Sequence, residues 1–395
     1  MILNIEFNDY DITTNANLDE IKNIFKDYNP KLYSSKKCIR IKMGDIHIEL
    51  SPFKGKNIEE DLINRDYKIN SLLINIDGEL IDYLGGLNNI NDKKLELVNL
   101  PNHVFNEDPY RILRGIRLHA KYNLTPSSEL INNMNKYAYL LKNIHPSRIR
   151  YELDQILTIA KPSTYLLLYK EVFINIFNEL SKCVGFDQKS NYHIYDVYQH
   201  IALVVDYVEP KIEIRLAALL HDIKKPDAFY LDKNGLGHFP LHDVLSANYA
   251  KEVLSYYSYS KRIINIVYKL ILYHDIRLKM DRDYILNFLT LFSSYDIDYF
   301  FMLQEADMKA QNPKLISRLT NYNEIKKYVK NIINEKNYIN VSDLKISISD
   351  FNKLGYNDLE LIEDTIRKMT IDVINSKLIN DRIILLNRID EYINN

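Results

Sequence analysis

Three arginines, Arg111, Arg114 and Arg117, follow Asp108-Pro109 in the stretch Phe105 to Arg117. Asp is a favoured helix N-cap, and Pro suits the first helical position because its missing N–H costs nothing there. The stretch therefore reads as a helix start. Spacing by three puts the arginines on roughly one side, with Ile112, Leu113 and Ile116 on the other. Guanidiniums side by side repel one another unless an anion lies among them. Two readings are open: a solvated basic face, or a cradle for a polyphosphate with the Asp108 carboxylate at its mouth.

A second group is Asp9 and Asp11 in Asn8-Asp9-Tyr10-Asp11-Ile12. On a strand, residues i and i+2 share a face. Two carboxylates held together repel unless a divalent cation sits between them, and hard oxygen ligands suit Mg²⁺ on a nucleotide's phosphates. The alternative is two exposed aspartates near a terminus. Glu49, in Ile46 to Leu50, is a candidate third carboxylate from a neighbouring strand. A third group is the histidines, most of which fall between His193 and His274: His193, His200, His221-Asp222, His238, His242 and His274-Asp275, with Asp307 beyond. A lone buried histidine is usually a satisfied core residue. Several on separate helices beside a His-Asp pair point to a borderline metal held by imidazole and carboxylate.

The elements that must position these groups follow from pattern. Residues 1–100 read as mixed α/β: a short amphipathic helix from Leu18 to Phe25, a hairpin of Lys37–Lys42 and Ile46–Leu50 around Gly44-Asp45, and a second hairpin around Asp77-Gly78. From about residue 105 the pattern is helical, broken near Pro126, Pro146, Pro162 and Gly185 and by a turn-rich insert from Asp232 to Pro240. Character changes near Cys183 to Asn191 and again near Asn312. The fold class expected is α+β, in four regions: an α/β head (1–100), a helical neck (101–182), a histidine-bearing domain (183–312) and a helical tail (313–395).

The whole chain sets outer limits. Its 395 residues suffice for two or three cores, and a formal net charge of −2 excludes a broadly basic nucleic-acid surface, so any such contact is local. Cys38 and Cys183 alone support neither a disulfide framework nor a thiolate zinc site. No apolar run approaches a membrane span, and the start lacks a signal peptide's basic region, so a cytoplasmic location is expected.

Taken together, Asp9 to Ala16, Glu60-Asp61-Leu62-Ile63-Asn64-Arg65-Asp66 to Asn70, Asp82-Tyr83-Leu84-Gly85-Gly86-Leu87 and Glu107 to Arg114 resemble, in order, the motifs of class II tRNA nucleotidyltransferases, the CCA-adding enzyme and poly(A) polymerase family. Ser342 to Ser347 and Asn380 to Leu386 resemble the tail of bacterial members that carry an HD domain. The resemblance implies addition of C and A to the 3′ end of tRNA from CTP and ATP, with release of pyrophosphate. Asp9 and Asp11 would hold the catalytic Mg²⁺. Arg65, Arg114 and Arg117 would contact the triphosphate. Asp108 and Arg111 would present hydrogen bonds to the base edge, and Arg148 would match the arginine of a fifth motif. A carboxylate accepts from the exocyclic amino group that C and A both carry, and arginine donates to a ring nitrogen or carbonyl.

Three departures stand out. The family's opening Gly-Gly-x-Val-Arg-Asp turn has no counterpart before Asp9: either Met1 is an internal methionine taken as a start, or the head is shortened and a strand of the catalytic sheet is lost. Asn64 and Ser147 stand where arginine and glutamate are usual. Only Lys54 to Ile58 separate Pro52-Phe53 from Glu59-Glu60-Asp61-Leu62. The family's longer loop there is linked to switching from C to A, so the short segment resembles members that add two C residues alone.

The histidine run resembles the HD phosphohydrolase domain. His200, His221, Asp222 and Asp307 match its signature, and His242 and His274 lie where some HD proteins recruit a second metal or bind phosphate. Lys224 replaces the usual glycine. The implied chemistry is hydrolysis of RNA-end phosphoesters with a transition metal such as Ni²⁺ or Mn²⁺. Alternatives are an HD region serving only as a helical body for tRNA, an HD phosphohydrolase on an inactive head, and a non-enzymatic tRNA-binding remnant.

Overall fold

A computed structural model describes residues 9–33, 37–292 and 294–394, without the side chains of Asp9, Ser294 and Tyr295. The chain divides into two units, Met1–Ile144 and His145–Asn395.

The first unit holds a four-stranded sheet, β1 (Asp9–Thr14), β2 (Lys31–Tyr33), β3 (Cys38–Met43) and β4 (Ile46–Pro52), in the order β1-β4-β3-β2. β1 runs parallel to β4, and the other pairs are antiparallel. The β3–β4 hairpin turns at Gly44, whose φ of +63° a side chain would resist. Helix α1 (Leu18–Ile24), capped by the Asn17 side chain, lays Ile21 on the sheet against Ile39, Ile41 and Leu50. The second expected hairpin is present as a short antiparallel pair, Leu73–Ile74 with Leu80–Ile81. Five more helices follow: α2 (Ile58–Ile63), α3 (Gly86–Asn91), α4 (Pro101–Glu107), α5 (Tyr110–Tyr122) and α6 (Ser128–Lys136).

The α4–α5 junction departs from expectation by one residue. The arginine helix α5 begins at Tyr110, and Pro109 precedes it at φ −60°, ψ −20°. Asp108 still does a cap's work from extended backbone, its carboxylate accepting the Tyr110 N–H at 3.2 Å. Buried Gly115 lets Tyr67 reach α5: a Cβ there would overlap the Tyr67 hydroxyl, which donates to the Arg111 carbonyl at 2.8 Å.

The second unit is helical. It runs through α7 (Pro146–Leu157), α8 (Pro162–Leu168), α9 (Lys170–Ile176), α10 (Leu180–Cys183), α11 (Val197–Asp206), α12 (Ile212–Leu220), α13 (His242–Tyr256), α14 (Lys261–Tyr273), α15 (Arg282–Leu289) and α16 (Ser294–Lys309). A tail of α17 (Arg318–Ile333), α18 (Ile348–Lys353), α19 (Leu359–Ile374) and α20 (Arg382–Asn394) completes it. In α12 every residue from Ile214 to Leu220 is buried; all are apolar but Arg215, whose guanidinium donates to the Glu209 and Val205 carbonyls. It packs against α11, α14 and α16. The turn-rich insert is a hairpin of Tyr230–Leu231 with Gly237–His238. In the tail, Leu344, Phe351, Ile362, Met369, Leu385 and Ile389 form one core. The two tail segments singled out in the sequence meet: Asn380 bonds the Lys345 N–H and the Asp343 carbonyl, and Arg382 pairs with Asp350. Among the described residues no helix is long and apolar enough to cross a membrane.

Candidate functional site

In the first unit, β1 pairs with β4 so that Asp9 lies beside His47 and Asp11 beside Glu49. Neighbours in a parallel ladder share a face, so Asp11 and Glu49 stand in one row, and Arg40 of β3 continues it as the register partner of Glu49. Arg40 bonds Glu49 through Nε at 3.0 Å, which balances the second carboxylate. Asp11 is exposed; the side chain of Asp9 lies outside the described residues.

The arginines do not form one solvated face. Steps of three residues turn about 300° rather than a full circle, so the row drifts around the helix. Arg111 is only 5% exposed, whereas Arg114 and Arg117 are half-buried. Burying a guanidinium is costly unless its donors are met, and here they are. Arg111 Nη1 donates to the Glu107 carboxylate at 2.8 Å, and Nη2 to the Asn64 carbonyl at 2.9 Å. Arg114 donates to buried Asp66 at 2.6 Å. Burial alone would push the Asp66 carboxyl up; the Arg114 charge and the bonds from Asn70 and the Tyr67 N–H outweigh it and hold the group below the usual carboxylate range. Arg65 is held by Asp61 at 3.0 Å and by the Asn70 carbonyl at 3.2 Å. Segment 64–66 and helix α5 are therefore joined at two points, and Asp108 sits half-buried at the mouth of that helix. The Asp82 carboxylate takes the N–H groups of Gly86 and Leu87, starting α3 after Gly85 at φ +76°.

In the second unit four expected residues converge. The ligand atoms of His200, His221, Asp222 and Asp307 all lie within 4.8 Å of one another, and Asp222, His242 and His274 form a second such group. His200 Nε2 lies 2.9 Å from Asp307 and 3.4 Å from Asp222. His221 Nε2 lies 3.2 Å from Asp222. The other oxygen of Asp222 faces His242 at 3.4 Å and His274 at 3.5 Å.

Helix ends explain the aim of these rings. The last carbonyls of a helix lack intrahelical donors. His221 caps α12 and its Nδ1–H donates to Ala218 at 2.9 Å; His274 caps α14 and donates to Ile271 at 2.6 Å. His242 donates likewise to Phe239 at 2.7 Å, and His200 to Ala310 at 3.3 Å. A carbonyl only accepts, so each Nδ1 carries a proton and each Nε2 faces the centre, the arrangement that metal-ligating histidines show.

Burial would lower His200, but the adjacent carboxylates of Asp222 and Asp307 outweigh this and raise it to about 9. Burial lowers His221. Both carboxylates overcome their own burial and are held low by the adjacent histidines. Nε2 of His200 and of His221 and both oxygens of Asp222 are nonetheless buried without a well-aligned hydrogen bond. Crowded together by charge rather than by aligned hydrogen bonds, these atoms form a mixed imidazole and carboxylate donor set that fits a divalent metal ion.

Other residues fall outside these groups. Asp275 is exposed, and His238 pairs with Asp232 on the hairpin. His193 packs its ring on His200 at 4.8 Å between centroids. Lys224 sits at φ −102°, an ordinary conformation that needs no glycine, and its ammonium binds Glu179 and Asp227. Sequence reasoning missed Lys225, whose Nζ lies 2.5 Å from Asp222, and Gln311, which donates to Asp307 at 2.9 Å. The i+4 spacing of Gln311 from Asp307 was the available signal.

Comparison with known proteins follows the same division. Residues 1–96 match the family described as Poly A polymerase head domain, and residues 191–344 match the HD domain. Poly(A) polymerase I of Salmonella typhi is 30% identical over 177 residues, 38% of this chain and 38% of that protein. The CCA-adding enzyme of Streptococcus agalactiae is 30% identical over 172 residues, 40% of this chain and 43% of that protein. The chain thus spans about two fifths of the length of these relatives. The crystal structure of the Bacillus stearothermophilus CCA-adding enzyme in complex with CTP superposes with a TM-score of 0.62 at 16% identity, covering 99% of this chain and 90% of that one, a likeness of fold.

Proposed function

We propose that this chain, a member of the class II nucleotidyltransferase family of CCA-adding enzymes and poly(A) polymerases that also carries an HD domain, adds C and A residues to the 3′ end of tRNA from CTP and ATP and releases pyrophosphate. The observation that carries the reading is the junction of segment 64–66 with helix α5, where Arg111 and Arg114 reach Asn64 and Asp66. In this reading Asp108 and Arg111 meet the base edge. The Glu107 and Asn64 partners of Arg111 hold its plane still, so that the base is judged against a fixed template. Arg65, Arg114 and Arg117 hold the triphosphate, Arg114 exchanging its bond to Asp66 for one to phosphate. Asp9 and Asp11 hold Mg²⁺, a fit to an all-carboxylate donor set; when bound it neutralises charge in the in-line displacement of pyrophosphate. The head is 1–100, the neck 101–182, the HD domain 183–312 and the tail 313–395. The helical regions hold tRNA mainly by its phosphates, and the protein works in the cytoplasm.

A second reading, addition of C alone, is favoured by the short segment after Phe53. Lys54 is tied through its N–H to Asp61 at 2.9 Å and through its carbonyl to the Asn64 amide at 3.2 Å, and the Lys56 N–H to Glu60 at 2.8 Å. A segment so held has little freedom to rearrange between nucleotides. Incubation with Mg²⁺, labelled CTP or ATP and tRNA lacking its last three nucleotides tests both. Incorporation of C and then A supports the first reading, and C alone selects the second. Repeated addition of A would mark a poly(A) polymerase, and no incorporation rejects transferase function.

The HD cluster is proposed to hold a transition metal such as Ni²⁺ or Mn²⁺ on His200, His221, Asp222 and Asp307, with His242 and His274 completing a second position around Asp222. When bound, the metal supplies Lewis acidity for hydrolysis of a 2′,3′-cyclic phosphodiester at an RNA end. A phosphodiesterase assay with added Ni²⁺ or Mn²⁺ tests this, and activity unchanged in His221→Ala contradicts it.

A further inference from the structure

The carboxylate of Asp307 is engaged on both sides. One oxygen lies 2.9 Å from His200 Nε2, and the other accepts the Gln311 amide N–H at 2.9 Å. Gln311 is 8% exposed, and its own Oε1 accepts from Arg318 Nη1 at 3.1 Å. Arg318 opens α17 and lies over the Tyr192 ring, 4.8 Å from its centroid. A guanidinium only donates and a carboxylate only accepts, so a primary amide can join them head to tail. Its oxygen must face Arg318 and its nitrogen Asp307, so its two partners decide which way the amide points. The same turn serves a second ligand, since the Ala310 carbonyl accepts His200 Nδ1–H. The turn is itself anchored by the Asn312 N–H on the Tyr192 carbonyl at 2.8 Å.

We infer that Gln311, backed by Arg318, is a positioning residue of the HD centre. It fixes which oxygen of Asp307 faces the histidines, and so sets metal affinity without touching the ion. The inference rests on the reading of this cluster as a metal site. It differs from simple packing, because a side chain of equal length without the amide would fill the space yet leave Asp307 free to turn.

Co²⁺ titration of the full chain, followed by visible absorption, tests it on the wild type, Gln311→Met, Arg318→Met and the double variant, with circular dichroism as a check on folding. Gln311→Met is expected to weaken Co²⁺ binding about 10–100-fold and to alter the absorption band. Arg318→Met is expected to weaken it less. The double variant is expected to bind no worse than Gln311→Met, because Arg318 acts through Gln311. Wild-type affinity and band in Gln311→Met overturn the inference, as does a double-variant loss equal to the sum of the single ones. Should Gln311→Met not fold, Arg318→Met decides: weaker binding supports the inference and unchanged binding overturns it. A wild type that binds no Co²⁺ removes the metal reading itself and the inference with it.

Discussion

Asp108 and Asp66 show how one carboxylate can carry two roles or one. Asp108 caps α5 by accepting the Tyr110 N–H and, in the proposed function, also accepts from the base amino group. Asn caps a helix about as well as Asp, but its amide also offers donors. Asp108→Asn is therefore expected to melt within about 2 °C of the wild type, while discrimination of CTP against UTP falls by about 1–3 kcal/mol in competitive incorporation. Asp66 has a structural partner in Arg114. Its folded pKa is depressed below the unfolded value of 3.8, so its contribution is present above that value and is lost as pH falls through the folded pKa. Asp66→Asn is expected to cost about 1–3 kcal/mol in urea unfolding at pH 7, at the lower end because Arg114 is partly exposed to solvent. That gap should narrow below about pH 4, near the ordinary pKa of a carboxylate. A gap constant with pH would show that Asp66 does not titrate against Arg114.

At the scale of the element, the α5 surface and the helix ends decide where chemistry can sit. Gly115 admits Tyr67 against α5, so Gly115→Ala must displace a buried ring and break its bond to the Arg111 carbonyl. Overpacking of this kind costs about 1–3 kcal/mol, measurable as a lowered denaturant midpoint, and the loss should be smaller in Tyr67→Phe, which lacks the hydroxyl. Much of this was legible in the sequence. The alternation before Gly44-Asp45 fixes a hairpin, and the histidine run pointed to the helices whose donors converge. The burial of Arg111 was not legible, because a spacing of three approximates a helical face and says nothing of a carbonyl, here that of Asn64, waiting 47 residues away in sequence. The capping rings were hidden for a similar reason. His221 and His274 read as candidate ligands, but that each satisfies its own helix's last carbonyls is a property of the folded end. Lys224 in place of glycine left the loop geometry open, and its backbone is ordinary.

At the scale of the whole molecule, the two proposed chemistries rest on separate constellations, carboxylates and arginines in the first unit and a histidine cluster in the second. His221→Ala is thus expected to abolish Ni²⁺- or Mn²⁺-dependent phosphodiesterase activity while nucleotide incorporation stays within about twofold of the wild type, since His221 belongs to the second unit and the proposed transferase residues to the first. Loss of both together would mean that the HD core supports the head's activity as a body rather than as a second centre. The central claim, that this polypeptide transfers nucleotides with its own carboxylates, is tested most directly by extending a tRNA that lacks its last three nucleotides, comparing wild type with Asp11→Asn at single-nucleotide resolution. Stepwise incorporation from CTP is expected of the wild type. A fall of at least about 100-fold is expected in Asp11→Asn, about 2.7 kcal/mol or more of transition-state stabilisation, with circular dichroism as a check on folding. Equal extension by the two proteins, or none by the wild type, would contradict the claim.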